Sequence, residues 1–435
     1  MKPLPQLQQH PLRQALHNEV HSRPPEALHN QTAVSCMVMW TNPEERMASR
    51  QWLHTLLRDM QLPVPDAQAT HLRLDLGHCR LRWEMHTEFV SWTWMQDMPG
   101  DAAGASALPQ ASAAMPAQWL AGLPGRCLLA VNAWVLERTP ETEALVEQEW
   151  LVPEQLVASL ASDELACIYT DFAIHPEGAS RLFVLNQGMP PARTGRLVQR
   201  LVEIETYRLA ALLGLPAARE MMERLAETEA ELAELALSIR SAASASEPQL
   251  LEQLTRLAAQ VESLYAANYS RFSASAAYFS LVQQRVHDIQ ETRLYSYQTI
   301  RDFMDRRLTP ARNTCISAHD RLEALSQRVS RISNLLQARV DISQKQGRQA
   351  LLAAMNERQG LQLKMQSTVE GLSVAAITYY IVGLVSYVAK GLQKWGWPLS
   401  PETTAALAIP VVALGVWWSI RRMHHRLFHA QQGHD

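Results

Sequence analysis

The stretch Leu81–Phe89 reads LRWEMHTEF and alternates by two. In a strand, this puts Leu81, Trp83, Met85 and Phe89 on one face, with Thr87 among them. Arg82, Glu84, His86 and Glu88 fall on the other face. Two carboxylates around an imidazole suit a divalent cation or the positioning of a proton. The same row also suits a solvated sheet face with cross-strand ion pairs. Glu84, His86 and Glu88 are therefore the candidate metal ligands. Apart from such a divalent metal, no cofactor is expected.

A second histidine cluster lies in HNEVHSRPP, residues 17–25. His17 and His21 stand one helical turn apart with Glu19 nearby, which resembles a metal-ligand step but is not H-E-x-x-H. Pro24 and Pro25 force extended backbone directly afterwards, so the segment reads as an arm docking onto a globular domain. His424, His425, His429 and His434 read as tail residues with no specific role. The chain holds no phosphate loop, dinucleotide fingerprint or G-x-S-x-G. An enzyme built around Glu84, His86 and Glu88 ranks last among the readings.

The third constellation is apolar. Gly371–Ala389 and Thr403–Ile420 contain no charged residue, and each approaches the roughly 20 residues that cross a bilayer core. Trp395 and Trp397 in the connecting loop, and Trp417 and Trp418 at the far end, sit where aromatic belts form. Arg358, Lys364, Arg421, Arg422 and Arg426 flank the pair on one side, against Lys390 and Lys394 in the loop. This asymmetry predicts a transmembrane hairpin with both termini cytoplasmic. Ser373, Tyr380 and Tyr387 recur every seven residues, with Ala376 and Gly383 between them. Such a face of hydroxyls and small residues suits a helix–helix interface or the lining of a pore in a homo-oligomer. Glu370 at its cytoplasmic end is either a boundary residue or part of a carboxylate ring.

These positions need elements to hold them. Residues 249–309 contain neither proline nor glycine. Leu250, Leu254, Leu257, Val261 and Leu264, then Phe279, Val282, Val286 and Ile289, step like a coiled-coil seam. Ser246-Glu247-Pro248-Gln249 is a helix start, and Thr309-Pro310 is expected to end this helix and begin the next. That next helix carries Leu322, Leu325, Val329, Ile332 and Leu336 at heptad steps and runs uninterrupted into the first apolar segment. An earlier pair, Gly195–Leu213 and Pro216–Ile239, breaks at Gly214-Leu215-Pro216, and Ser241–Ser246 reads as a linker. Before residue 190 the pattern is mixed. Val34–Trp40, helical Pro43–Met60, and a hairpin His71–Leu76/Arg80–Trp94 precede a similar run. That run comprises Cys127–Leu136, helical Glu143–Leu160, Leu165–His175 and Ser180–Asn186. Two βαββ units give an α+β sheet, with Ala102–Pro124 as a loop between them.

The fold class is thus an α+β domain, then long coiled-coil-like helices, then a C-terminal two-helix transmembrane hairpin. The divisions are 1–190, 191–365, 366–425 and a tail at 426–435. The net charge of −3 gives no argument for nucleic acid. The five scattered cysteines form no C-x-x-C and suit a reducing compartment. The amino-terminal stretch has no apolar core of a signal peptide.

Four strings, HNEVHSRPP, LRWEMHTEFVSWTW, TGRLVQRLVEIETYRLAALLGLPAAR and VEGLSVAAITYYIVGLVSYVAKGL, closely resemble a bacterial family of uncharacterised membrane-anchored proteins (domain of unknown function 3422). The resemblance spans nearly the whole chain and implies no activity and no catalytic residue. The layout is also similar to CorA-type magnesium channels, which implies an alternative function as a distant divalent-cation transporter. Those channels carry Gly-Met-Asn at the outer end of the first membrane helix. Here SYVAKGLQKWGW (386–397) stands there, with Lys390 and Lys394 set to repel cations. The leading expectation is a membrane-anchored, oligomeric protein whose partners are the bilayer and copies of itself, with a sensing or scaffolding domain.

Overall fold

A computed structural model describes residues 8–14, 16–17, 25–66, 69–99, 108–241, 247–393, 398 and 400–431. The chain divides into two compact units. One comprises Met1–Ala242 with Gln249–Ser333, and the other Ala243–Pro248 with Asn334–Asp435. The boundary expected at residue 190 falls inside the first unit.

The first unit is built on one nine-stranded sheet. Its strands are β1 Thr32–Trp40, β2 His71–Asp75, β3 Arg80–Met85, β4 Phe89–Asp97, β5 Arg126–Glu137, β6 Val157–Ala161, β7 Ala166–Thr170, β8 Ser180–Asn186 and β9 Thr292–Arg293. Their spatial order is β2-β3-β4-β1-β5-β8-β7-β6-β9. The expected duplication is visible in this order: each half runs from a central strand to an outer one and returns inward through its own meander. The halves are not copies, because β1 pairs antiparallel with β4 whereas β5 pairs parallel with β8. Each half also holds one more strand than expected. Arg80–Trp94 is two strands, and β6 lies where a helix was expected.

The helix α1, Pro43–Asp59, starts on a capping box. The Asn42 side chain accepts from the Glu45 N–H at 2.8 Å, and the Glu45 carboxylate accepts from the Asn42 N–H at 2.8 Å. It lays Leu53, Leu56 and Leu57 on the sheet face that carries Leu81, Trp83, Trp92 and Trp94. The segment expected as a loop at 102–124 is described from residue 108. It forms a 3₁₀ turn, Ala111–Ala114, and a short helix α2, Ala117–Ala121. The Trp134 indole donates to the Pro109 carbonyl at 2.8 Å and ties this segment down. Helix α3, Pro140–Leu145, continues as a π-helical turn, Val146–Trp150, over the second half.

Helix α4, Pro191–Leu212, covers the opposite sheet face with Leu197, Val198, Leu201 and Ile204. The extended segment from Pro25 docks against its start; of the expected arm at 17–25, residues 18–24 lie outside the described residues. The Leu28 N–H donates to the Pro191 carbonyl at 3.0 Å, and Leu28 is buried. His17 is exposed; Glu19 and His21 lie outside the described residues. A Cβ on Gly195 would stand 1.6 Å from the Glu26 carbonyl oxygen, so only glycine permits this approach.

Helices α5 (Gly214–Ser241), α6 (Glu247–Asp288), α7 (Ile300–Arg307) and α8 (Thr309–Gln393) follow. Helix α6 does not reach residue 309. It stops at Asp288, Gln290 turns with φ 47°, and β9 pairs with the sheet edge at β6 before α7 begins. Within the first unit the heptad seams close on one another. Met221, Leu225, Leu232 and Leu235 of α5, Leu254, Leu257 and Val261 of α6, and Ala318, Leu322, Leu325 and Val329 of α8 are all buried. Gly214 marks a close approach of the three: a Cβ there would lie 2.5 Å from Ser275 Oγ and 3.5 Å from Cys315 Sγ. These seams therefore pack on one another inside one chain.

The second unit contains the rest of α8 and helix α9, Pro401–Gln431, which runs through Pro410. Among the described residues two helices, α8 and α9, hold segments long and apolar enough to cross a membrane, with mean hydropathy 1.8 and 1.7. Only 6% of the first apolar segment and 0% of the second is buried by the chain.

Candidate functional site

The two faces of the sheet differ in chemistry. The α1 face is apolar and rich in tryptophan, whereas the α4 face carries charge between its strands and the helix. A cavity of about 290 Å³ lies there. Its floor includes Arg82 and Glu84 of β3, Ser91 and Thr93 of β4, and Cys36 of β1. Its roof is Gln199, Glu203, Thr206 and Tyr207 of α4, with Arg285 of α6 alongside. The strand period of two delivers the floor residues to one face, and the steps 199, 203, 206 deliver the roof residues to one side of α4.

These groups form a chain of contacts. Arg82 Nη2 lies 2.7 Å from Glu84 Oε2, with side chains 12% and 10% exposed. Arg82 Nη1 donates to Gln199 Oε1 at 3.2 Å, and Gln199 Nε2 donates to Glu203 Oε1 at 2.8 Å. Glu203 Oε2 accepts from Arg285 Nε, and Arg285 Nη1 reaches Asp288 Oδ2 at 3.2 Å. Two ion pairs thus face each other across a helix–sheet interface, bridged by one amide. Thr93 Oγ1 donates to Cys36 Sγ at 3.3 Å. Burial pushes the Cys36 thiol up to about 11, against the smaller opposing pull of that hydrogen bond. Cys36 is therefore an inert thiol near neutral pH.

At one end of the cavity β3 turns into β4. The expected strand through Phe89 ends at Met85, and His86-Thr87-Glu88 is a tight turn closed by the His86 N–H on the Phe89 carbonyl at 2.8 Å. The Glu84–His86–Glu88 row therefore does not form. Glu84 and His86 both line the cavity, with His86 stacked on Phe89 at 4.3 Å, whereas Glu88 turns away to Arg271 and Tyr278 of α6. Among the described residues no group of three or more His, Cys, Asp or Glu could hold a metal ion.

The apolar face in α8 is placed as follows. Tyr380 and Tyr387 are 72% and 74% exposed, and a Cβ on Gly383 would meet nothing within 4 Å. Ala376 is exposed; Glu370 and Ser373 are half-buried, and the Ser373 hydroxyl donates back to the Val369 carbonyl at 2.8 Å. Lys390 sits over the Tyr387 ring at 5.7 Å, and Arg422 over Trp418 at 4.9 Å. Lys394, Trp395, Trp397 and His434 lie outside the described residues, as do the side chains of His424, His425 and His429.

Sequence reasoning found Glu84 and His86 but missed Gln199, Glu203 and Arg285. The signal available was a polar stripe at 199, 203 and 206 beside the apolar stripe of α4. No local pattern tells which residue of α6 completes it.

No curated protein and no solved structure matches the chain. A family model described as Protein of unknown function (DUF3422) matches residues 8–427, and the chain belongs to that family.

Proposed function

We propose that this protein is a membrane-anchored receptor for a small polar ligand, with the cavity under α4 as its binding site. The observation that carries this reading is the Arg82–Glu84 pair facing Glu203–Arg285. Taking charges out of water costs several kcal/mol per ion, and apolar side chains of similar volume commonly hold such an interface at least as well. Charge there is better accounted for by a ligand than by stability. The anchor is the hairpin of α8 and α9, inserted in the inner membrane with both termini cytoplasmic. The uncovered Ser373–Tyr380–Tyr387 face is available to other helices in the bilayer. Arg285 links the cavity to α6, and α6 packs on α8. A ligand that rearranges the Glu203–Arg285 pair has a route to the helix that carries the anchor.

The test is thermal unfolding of the full chain in mild detergent against single additions of amino acids, dicarboxylates and nucleotides. The expected result is a rise in Tm with at least one class, absent in Arg82→Met/Glu84→Leu. No rise with any class, or an equal rise in the variant, overturns the assignment.

A further inference from the structure

A second pocket, of about 310 Å³, lies between α6 and α8, away from the sheet cavity. Its wall is aromatic: Tyr269, Phe272 and Phe279 of α6, and His319 of α8. The His319 ring lies 6.4 Å from both Tyr269 and Phe272. Phe272 and Phe279 are 5% and 2% exposed and fixed in the seam, whereas Tyr269 is 51% exposed at the rim. Two opposite charges complete the lining, Asp320 at the His319 end and Arg312 at the Phe279 end. Neither side chain has a hydrogen bond or ion pair with any described residue.

The pattern differs from an ordinary seam. A heptad position needs an aliphatic knob, not several rings converging on a void with an unpaired carboxylate beside them. Ring faces carry negative quadrupole charge and attract cations. Methylated ammonium ions suit such walls because they are weakly hydrated and lose little on entry. Arg312 and Asp320 both line this pocket and are eight positions apart on one helix, about 12 Å of rise, so the long Arg312 side chain and the short Asp320 carboxylate can address the two ends of one small zwitterion. We infer that this groove binds a quaternary ammonium group, with Asp320 and the rings taking the cation and Arg312 taking an anionic group on the same molecule. Free phosphocholine-type solutes and the headgroup of a choline lipid share this chemistry.

The experiment is calorimetric titration of the full chain in a non-choline detergent with tetramethylammonium, phosphocholine and ammonium chloride. Lipid nanodiscs with and without a choline lipid form the second arm. Expected are binding of tetramethylammonium, tighter binding of phosphocholine, and none of ammonium. Tyr269→Ala should weaken both ligands about tenfold, while Tyr269→Phe, which keeps the ring, should not. Arg312→Gln should remove the advantage of phosphocholine. A choline-lipid nanodisc that blocks phosphocholine binding identifies the lipid as the source; unchanged binding identifies the solute. Absence of tetramethylammonium binding in folded wild type, ammonium binding equally well, or Tyr269→Ala behaving like Tyr269→Phe overturns the proposal.

Discussion

The Glu88 carboxylate is gripped by the Arg271 guanidinium through two parallel hydrogen bonds, Nη1 to Oε1 at 2.9 Å and Nη2 to Oε2 at 3.2 Å. The Tyr278 hydroxyl donates to the same carboxylate at 3.0 Å, and Arg271 lies 5.1 Å over the Trp40 ring. This clasp holds the β3–β4 turn, at the mouth of the cavity, onto α6. Bidentate charged contacts of this kind contribute about 1.5–3 kcal/mol. Arg271→Ala should therefore lower Tm by an amount equivalent to about 2 kcal/mol, and Glu88→Gln by less, since the amide still accepts one bond. Thermal unfolding of the full chain reads both.

Alkaline pH should loosen the same clasp. Burial, and then the Glu88 charge, push the Tyr278 hydroxyl well above its ordinary value of 10. A group with a raised folded pKa contributes stability that is complete below the unfolded value and is lost as pH rises through the folded one. Tm should fall as pH climbs above about 10. Burial raises Tyr169 and Tyr297 in the same direction, so Tyr278→Phe should remove only its share of that slope. Equal alkaline slopes in wild type and Tyr278→Phe would contradict the assignment.

Glycine substitutions should separate close approach from plain helix propensity. Gly195→Ala drives a Cβ into the Glu26 carbonyl. It should cost about 3 kcal/mol and expose the arm at Leu28 to proteolysis. Gly347 has open space around it on α8, so Gly347→Ala should gain up to about 1 kcal/mol. Limited proteolysis with thermal unfolding distinguishes the two.

The membrane reading makes its own demands. Truncation after Met365 should release the chain from membranes washed in high salt. A reporter active only in the cytoplasm should work after Asp435 and be silent at Gln393. If the Ser373–Tyr380–Tyr387 face meets other helices, Gly383→Leu should disturb assembly in detergent, while Val382→Leu should not. Equal behaviour of the two variants would return the segment to a plain anchor.

Much of this architecture is legible in the residues. Strands β1 and β2, helix α1, the break at Gly214 and both apolar helices follow from periodicity and turn signals. What was hidden has physical causes. The turn at His86-Thr87-Glu88 contains no glycine, proline or asparagine, and the alternation on either side continues across it as if one strand ran through. The end of α6 at Asp288 likewise has no local stop signal, since Gln290 adopts a positive φ there. Tertiary pairing of β9 with β6 fixes that break. The heptads of α6 and α8 were visible, but periodicity alone does not say whether their partner is the same chain. The Glu84–His86–Glu88 row dissolved because its face depended on the unbroken strand.

The central claim is that the charges under α4 serve a ligand. An experimental density map of the full chain, extracted from its native membrane without added small molecules, tests it most directly. The account predicts a non-water molecule in the cavity, contacting Arg82 or Glu84 on the floor and Glu203 or Arg285 on the roof. A cavity filled only by water bridging these four side chains would contradict it.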